Sequence, residues 1–133
     1  MTDTPTAKGT ILLTDDDKFL LDMYGMKFTQ NGYKVELCLS ANQALISLRA
    51  GLKPDVILFD LTMPELDGFA FLKVLSDEHL AEGVLKIALT NQNSEPEKTK
   101  AAELGASSYI VKASMIPSEV VNTVNAELAK HRA

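Results

Sequence analysis

Acidic residues directly follow two apolar runs of this sequence, and a hydroxyl and an amine follow two others. Asp15 and Asp16 come after the run that ends at residue 14, and Asp60 comes after the run that ends at residue 59. Thr90 and Lys112 follow later runs. Carboxylates packed into one cleft raise one another's pKa values or bind a hard divalent cation such as Mg²⁺. A carboxylate nucleophile, a metal and two donors for phosphate oxygens are the groups that phosphoryl transfer requires.

Each of these residues has a simpler interpretation when it is taken alone. An Asp after a strand often caps the next helix, and we favour that role for Asp17. A Thr or Lys that leaves a strand is usually a solvated turn residue. The helix-cap interpretation is weaker for Asp15, Asp16 and Asp60 together, because all three are expected at the same edge of a sheet.

Five short apolar runs have the length and the β-branched or aromatic content of strands. These runs cover residues 10–14, 33–38, 55–59, 85–89 and 108–111. The lone Cys38 lies inside the second run, where a buried thiol is expected and no internal disulfide can form.

Stretches with helical spacing of apolar residues separate the predicted strands. The first carries Phe19, Leu20, Met23, Tyr24 and Phe28 on one face and ends at Asn31-Gly32. The others are predicted over residues 40–50, 67–75, 94–104 and 118–130, with Ser caps for the second, fourth and fifth. In the last of them, Val120, Val121, Val124 and Leu128 form the apolar stripe.

Strict alternation of strands and helices predicts an α/β fold in which helices cover both faces of a parallel sheet. The chain is too short for a closed eight-stranded barrel. We therefore predict a doubly wound (βα)5 fold of the flavodoxin-like type, with five strands in the order 2-1-3-4-5. Ligands of such sheets bind at the carboxyl ends of the strands, between strands 1 and 3.

Length, composition and charge restrict the class of protein. The 133 residues suit one domain, predicted over 9–133 behind a flexible tail at 1–8. The hydrophobic fraction of 46% is ordinary for a globular protein. A net charge of −5 argues against direct binding to nucleic acid. Residues 1–10 resemble no targeting signal, and no apolar run reaches the ~20 residues of a membrane helix, so we expect a cytoplasmic protein.

Four motifs occur in the order found in response-regulator receiver domains, and together they give the chain a close resemblance to that family over about residues 9–130. The run at 11–17 resembles the family's first strand with its acidic pair, here Asp15 and Asp16. The stretch from 60 to 68, DLTMPELDG, resembles the phosphoacceptor loop. Leu89-Thr90 resembles the switch hydroxyl, and the stretch from Tyr109 to Lys112 resembles the switch aromatic followed by the essential lysine.

The resemblance implies a role for each matched residue. Asp60 would be the phosphoacceptor and would bind Mg²⁺ together with Asp16, the backbone carbonyl of Thr62 and, through water, Asp15. Thr90 and Lys112 would hold the phosphoryl group.

Tyr109 would be the switch aromatic beside that site, and the domain would be a phosphoacceptor switch rather than an enzyme in the ordinary sense.

Two positions depart from the family pattern. Asn91 replaces a small residue, and Ala113 replaces a proline that often follows a cis bond. Because a cis bond before a residue other than proline costs about 3–4 kcal/mol, we predict a trans bond between Lys112 and Ala113.

Three other functions fit parts of the same pattern. The segment Asp15-Asp16-Asp17 also satisfies the Asp-x-Asp nucleophile motif of haloacid-dehalogenase-type phosphatases, in which Asp15 would be modified instead of Asp60. A flavodoxin-like cofactor binder is disfavoured, because the loop after the first strand is acidic where a phosphate needs backbone donors. A pseudo-receiver that docks partners without phosphorylation is the third alternative.

The expected partners are proteins of a phosphorelay. The resemblance implies a sensor histidine kinase or a phosphotransfer protein as the donor. The sequence ends after the fifth predicted helix, so we expect a single-domain regulator whose output protein acts in trans. His79 and His131 lie in polar surroundings and are predicted to be surface residues rather than phosphotransfer histidines.

Overall fold

The computed structural model describes residues 8–91 and 93–133. Strands and helices alternate through this part of the chain. The strands are β1 (Thr10–Thr14), β2 (Lys34–Cys38), β3 (Val56–Asp60), β4 (Leu85–Thr90) and β5 (Ser108–Val111). The helices are α1 (Lys18–Gln30), α2 (Ala41–Arg49), α3 (Gly68–Asp77), α4 (Glu95–Glu103) and α5 (Pro117–Arg132). The predicted tail lies outside the described residues except for Lys8, whose backbone N–H donates to the Gly32 carbonyl over 2.9 Å.

The five strands form one parallel sheet in the order β2-β1-β3-β4-β5, which confirms the predicted fold. Strand β1 lies between β2 and β3, and β3 is the central strand of the sheet. The chain reverses its direction of winding between β1 and β3. The carboxyl ends of these two strands therefore meet at the crevice where such sheets bind ligands.

Side chains alternate between two core layers, one on each face of the sheet. Ile11 and Leu13 point into a layer that α1 and α5 cover, whereas Leu12 points into a second layer covered mainly by α2 and α3. The predicted valine and leucine stripe of α5 is fully buried in the first layer. Cys38 is buried in the second layer, as predicted.

Polar side chains begin most of the helices where the sequence predicts. Asp17, Ser40, Asp67 and Ser94 each accept a hydrogen bond from a backbone N–H in the first turn. The Asp17 contact confirms its role as a helix cap.

The predicted start of α5 at a Ser118 cap is wrong. That helix begins at Pro117, whose ring fixes the backbone angle of a first helical residue and whose missing N–H is not needed there. The carboxylate of Glu119 accepts the hydrogen bond from the Ile116 N–H instead.

The predicted apolar face of α1 is wrong at one position. Phe19 is 76% exposed, whereas Leu21, two residues later, is buried. Phe19 lies on the opposite side of the helix from Leu21 and Phe28, because two residues advance the helix by about 200°. Elsewhere His79 and His131 are exposed, as predicted. Among the described residues, no helix combines the length and apolar character needed to span a membrane.

Candidate functional site

The sheet brings the predicted site residues to one edge. Asp60 is the last residue of β3 and lies beside Leu89 in β4. Thr90 ends β4 and lies beside Val111, the last residue of β5. Asp15 and Lys112 directly follow β1 and β5. Parallel strands end at the same edge of a sheet, and this is why residues up to 97 positions apart in the chain come into contact.

An ion-pair cluster lies at the centre of this edge. The Lys112 ammonium is 2.6 Å from Asp15 Oδ2 and 2.9 Å from Asp60 Oδ2. Asp15 is fully buried, and Asp60 is 3% exposed. The second oxygen of each carboxylate accepts a backbone hydrogen bond, from Asp17 N–H to Asp15 Oδ1 and from Thr62 N–H to Asp60 Oδ1. The Lys112 ammonium therefore pairs with two buried carboxylates, and backbone hydrogen bonds fix the orientation of both carboxylates.

Burial and neighbouring charge shift the protonation of this cluster. Burial raises the pKa of the Asp60 carboxyl, while the hydrogen bonds from Lys112 and Thr62 oppose that shift and the charge on Asp15 adds to it. For Lys112, burial acts to lower the pKa of the ammonium, but its hydrogen bonds to Asp15 and Asp60 outweigh burial and raise it. Lys112 is therefore a permanent cation at neutral pH.

The carboxylates also form a set that suits a hard metal ion. Asp15, Asp16 and Asp60 each present an oxygen, and these oxygens lie within 4.8 Å of one another. Asp16 is exposed at the mouth of the cluster, whereas the other two are buried. Oxygen donors of this kind fit Mg²⁺, which prefers a few carboxylates and keeps several waters. Thr62 follows two residues after Asp60, and its carbonyl as a further ligand stays a prediction.

Gly68 supports the Asp60 loop, a function that the sequence analysis missed. A Cβ atom at this position would lie 2.7 Å from both the Asp60 carbonyl oxygen and Leu61 Cα. The Gly68 N–H donates to the Leu61 carbonyl over 2.9 Å. The Asp67-Gly68 pair indicated only the start of a helix. The close approach of Gly68 to the backbone of the Asp60 loop cannot be inferred from the spacing of residues in the sequence.

The chain after Lys112 takes a single 3₁₀ turn over Lys112–Ser114. The Lys112–Ala113 peptide bond is trans, as predicted.

Thr90 and Tyr109 lie on the same face of the sheet. Tyr109 lies beside Ala88 in the neighbouring strand, and Thr90 is two residues beyond Ala88. The Tyr109 hydroxyl donates to Glu97 Oε1 over 3.4 Å, and Lys98 Nζ lies 5.5 Å from the centre of the Tyr109 ring. Thr90 is 3% exposed. Ala88, beside Tyr109, and Val111, beside Thr90, are the other side chains on this patch of the sheet face.

Known response regulators are similar in sequence to this chain over most of its length. Residues 11–125 match the model of the response regulator receiver domain family. The chain is 30% identical over 126 residues to the DNA-binding response regulator MtrA of Mycolicibacterium smegmatis, with 95% of the chain and 53% of that protein covered. It is 32% identical over 120 residues to the response regulator SaeR of Staphylococcus epidermidis, with 90% and 50% covered. The chain spans about half the length of these relatives.

Solved structures of receiver domains share the fold. A putative response regulator from Chloroflexus aurantiacus is 30% identical, with a TM-score of 0.81 and with 91% of this chain and 98% of that chain covered. The receiver domain of the Francisella response regulator 1452 is 28% identical, with a TM-score of 0.81 and coverage of 92% and 98%. Since the family match spans the elements that carry the carboxylates, the hydroxyl and the lysine, the chain belongs to the response regulator receiver domain family.

Proposed function

We propose that this domain is a phosphoacceptor switch that takes a phosphoryl group on Asp60 in a Mg²⁺-dependent reaction. The observation that carries the proposal is the buried cluster of Asp15, Asp60 and Lys112 beside the exposed carboxylate of Asp16. A carboxylate held beside a fixed cation, at an edge that is open on one side, has the arrangement of an acceptor rather than of a structural ion pair.

The residues that would hold Mg²⁺ are Asp16 and Asp60, with the Thr62 carbonyl, and Asp15 would contribute through water. The ion would neutralise charge on the phosphoryl oxygens and hold them in line with the acceptor. This chain orients the acceptor itself, since the Thr62 N–H fixes one oxygen of Asp60 and Lys112 contacts the other. Lys112 then has to exchange part of its contact with Asp60 for a phosphoryl oxygen.

The donor would be a phosphohistidine of a kinase or phosphotransfer protein, or a small phosphodonor. A carboxylate oxygen of Asp60 attacks phosphorus, the phosphorus–nitrogen bond breaks, and the imidazole keeps the electron pair and takes up a proton. The product is an acyl phosphate, whose oxygens the Thr90 hydroxyl and the Lys112 ammonium would bind. Phosphorylation adds about two negative charges at a site that already holds carboxylates, so these donors have to be recruited.

Switching would follow from that recruitment. If the Thr90 hydroxyl moves toward the phosphoryl group, space opens beside Ala88, and Tyr109 is the side chain on the same face that can occupy it. This movement would change the surface formed by α4, β5 and α5, to which an output protein would bind. The net charge of −5 supports a protein rather than nucleic acid as the direct partner of this domain. A cytoplasmic location also stays part of the proposal.

The contacts of the two carboxylates do not separate the receiver from the phosphatase alternative. Both oxygens of Asp15 and both oxygens of Asp60 are engaged by a backbone N–H and by Lys112. Burial separates them only slightly, since Asp15 is fully buried and Asp60 is 3% exposed beside the exposed Asp16. The match of residues 11–125 to the receiver domain family supports Asp60 rather than Asp15 as the acceptor.

The test is chemical labelling of the purified protein with acetyl phosphate and Mg²⁺. We expect one phosphoryl group per chain on Asp60, located by borohydride trapping and peptide mass spectrometry. Asp60→Asn should abolish labelling, because an amide is a poor nucleophile, and Asp16→Ala should weaken Mg²⁺ binding strongly. Labelling on Asp15 would support the phosphatase, and failure of every phosphodonor would support the pseudo-receiver.

A further inference from the structure

Helix α4 presents charged side chains toward the protein where a helix normally presents apolar ones. Its inward stripe consists of residues at helical spacing, Ser94, Glu97, Lys98, Ala101 and Leu104, whereas the other positions between 95 and 103 are exposed. Ala101 is the sole fully buried residue that α4 contributes. An amphipathic helix places apolar residues at such positions, so the acid and the base in the middle of the stripe need an explanation.

Glu97 and Lys98 both contact Tyr109, and the Lys98 ammonium also pairs with the exposed Glu95 carboxylate over 3.3 Å. The Glu97 carboxylate accepts the Tyr109 hydroxyl over 3.4 Å, and the Lys98 ammonium lies 5.5 Å from the ring centre. Glu97, Lys98 and Tyr109 are all half-buried. One residue therefore binds the polar end of the tyrosine and the next binds its face, and both contacts hold the ring on the side of α4.

Small side chains border the Tyr109 ring. An open surface cleft of about 210 Å³ lies between α4 and β5, lined by Ala101, Ala102 and Ser108 together with Lys98 and Tyr109. Toward the centre of the sheet, the neighbour of Tyr109 is the small Ala88. A ring with small neighbours meets less steric resistance to a change of position than a ring packed between large side chains.

We propose that Glu97 and Lys98 form a latch on Tyr109 that sets how readily the switch responds to a phosphoryl group on Asp60. This inference rests on the proposed function, in which Tyr109 leaves α4 when Thr90 is recruited. Both latch contacts are lost in that movement, so they stabilise the unphosphorylated position alone. Glu97 and Lys98 are thus positioning residues that act through Tyr109 and do not touch the phosphorylation site.

The latch should oppose phosphorylation from a distance. Because the two events share one equilibrium, a change that shifts Tyr109 away from α4 must increase the affinity of the Asp60 site for a phosphoryl analogue, by at most the factor of that shift. A cation–π contact at a partly exposed site changes an equilibrium by about two- to fivefold. We expect the removal of the Lys98 charge to have an effect of that size.

Helix α4 also supplies matched controls. Lys100 Nζ lies 4.4 Å from the ring centre of Phe69, so Lys100→Met removes the same charge and the same kind of contact from the same helix without touching Tyr109. Glu103 is exposed, so Glu103→Gln changes the net charge by the same amount as Glu97→Gln. Lys98→Arg keeps a cation over the ring.

The experiment uses the chain labelled with fluorotyrosine and titrated with beryllium fluoride in the presence of Mg²⁺. Fluorine nuclear magnetic resonance should give signals from Tyr24, Tyr33 and Tyr109, which are the three tyrosines, and Tyr109→Phe assigns the last. In Lys98→Met and Glu97→Gln, the Tyr109 signal should lie closer to its ligand-bound position before any ligand is added. Half-saturation should need about two- to fivefold less beryllium fluoride, and Lys98→Arg should restore the value of the unsubstituted protein.

Equal behaviour of Lys98→Met and Lys100→Met would overturn the latch, as would unchanged titrations in both latch variants. These results leave the proposed function intact as long as the unsubstituted protein responds at Tyr109 and acetyl phosphate labels Asp60. If the chemical shift of Tyr109 in the unsubstituted protein does not change on addition of beryllium fluoride, both the latch and the switching step are refuted.

Discussion

Replacing Lys112 with Met should reveal how much the buried cluster depends on its one cation. Lys112 has a side chain that is 6% exposed, and it contacts Asp15 and Asp60 at 2.6 and 2.9 Å. Without it, two buried carboxylates face each other with no buried counterion. Removing one partner of a buried ion pair costs about 3–5 kcal/mol. Because the exposed Asp16 marks an opening to solvent counterions, we expect a loss near the lower end, about 3 kcal/mol in the free energy of unfolding.

Urea unfolding in a chelator, followed by circular dichroism, measures this loss. Lys18→Met is the matched control, since Lys18 contacts Asp22 at 2.8 Å on the surface with side chains 71% and 53% exposed. Such exposed pairs contribute about 0.2–1 kcal/mol at most. Adding Asp60→Asn to Lys112→Met should recover part of the stability, because a single buried carboxylate then remains in the pair.

Mg²⁺ should reduce the difference between Lys112→Met and the unsubstituted protein. At one hundred times its dissociation constant, a ligand stabilises the folded state by about 2.7 kcal/mol. The variant has no ammonium competing for the same oxygens and should gain more from the ion. A loss no larger than that of Lys18→Met, or no recovery on adding Asp60→Asn, would refute this account of the cluster.

Three further substitutions test single features of the fold by thermal and urea unfolding. Thr14→Val should raise the free energy of unfolding by about 1 kcal/mol, because the Thr14 hydroxyl is fully buried without a hydrogen-bond partner, the one such side-chain group found among the described residues. A loss of stability would contradict this. Glu65→Gly should stabilise the protein by about 0.5–1 kcal/mol, because Glu65 has φ 69°, a left-handed conformation that strains a residue with a Cβ; an unchanged midpoint would count against strain there. Gly68→Ala should destabilise the protein by about 2 kcal/mol or more and slow the labelling of Asp60, because the new Cβ would lie 2.7 Å from backbone atoms of the loop. Normal labelling would show that the loop adapts.

Local patterns predicted most of the fold, because buried apolar residues recur along the chain at the spacing of each strand and helix. The five strands lie within one residue of their predicted ends, and α2 and α4 begin after the Ser caps that the sequence indicated. The site residues could be named because parallel strands deliver their last residues to one edge, whatever lies between them in sequence. This reasoning needs the order of the strands and nothing about side-chain packing.

Features that depend on contacts between distant residues could not be predicted. Phe19 fits the apolar pattern of α1, yet the direction of that helix over the sheet leaves it 76% exposed. The start of α5 depends on whether Pro117 or Ser118 supplies the first turn, and both are acceptable in sequence. The contact of Gly68 with the Asp60 loop and the direction in which Glu97 and Lys98 point are set by the approach of separate elements.

Several polar or charged groups of this domain occupy positions where packing normally places apolar ones. They are the buried Thr14 hydroxyl, the buried carboxylates of Asp15 and Asp60, and the half-buried Glu97 and Lys98 on the inward stripe of α4. An apolar replacement of the Thr14 hydroxyl, or of Asp15, Asp60 and Lys112 together, would suit a static fold better. Local violations of the rules for stability concentrate where a protein has to change state. The charge pattern of α4 is therefore best understood together with the acidic site. Under the proposed function, Glu97 and Lys98 would belong to the conformational switch that a phosphoryl group on Asp60 would operate.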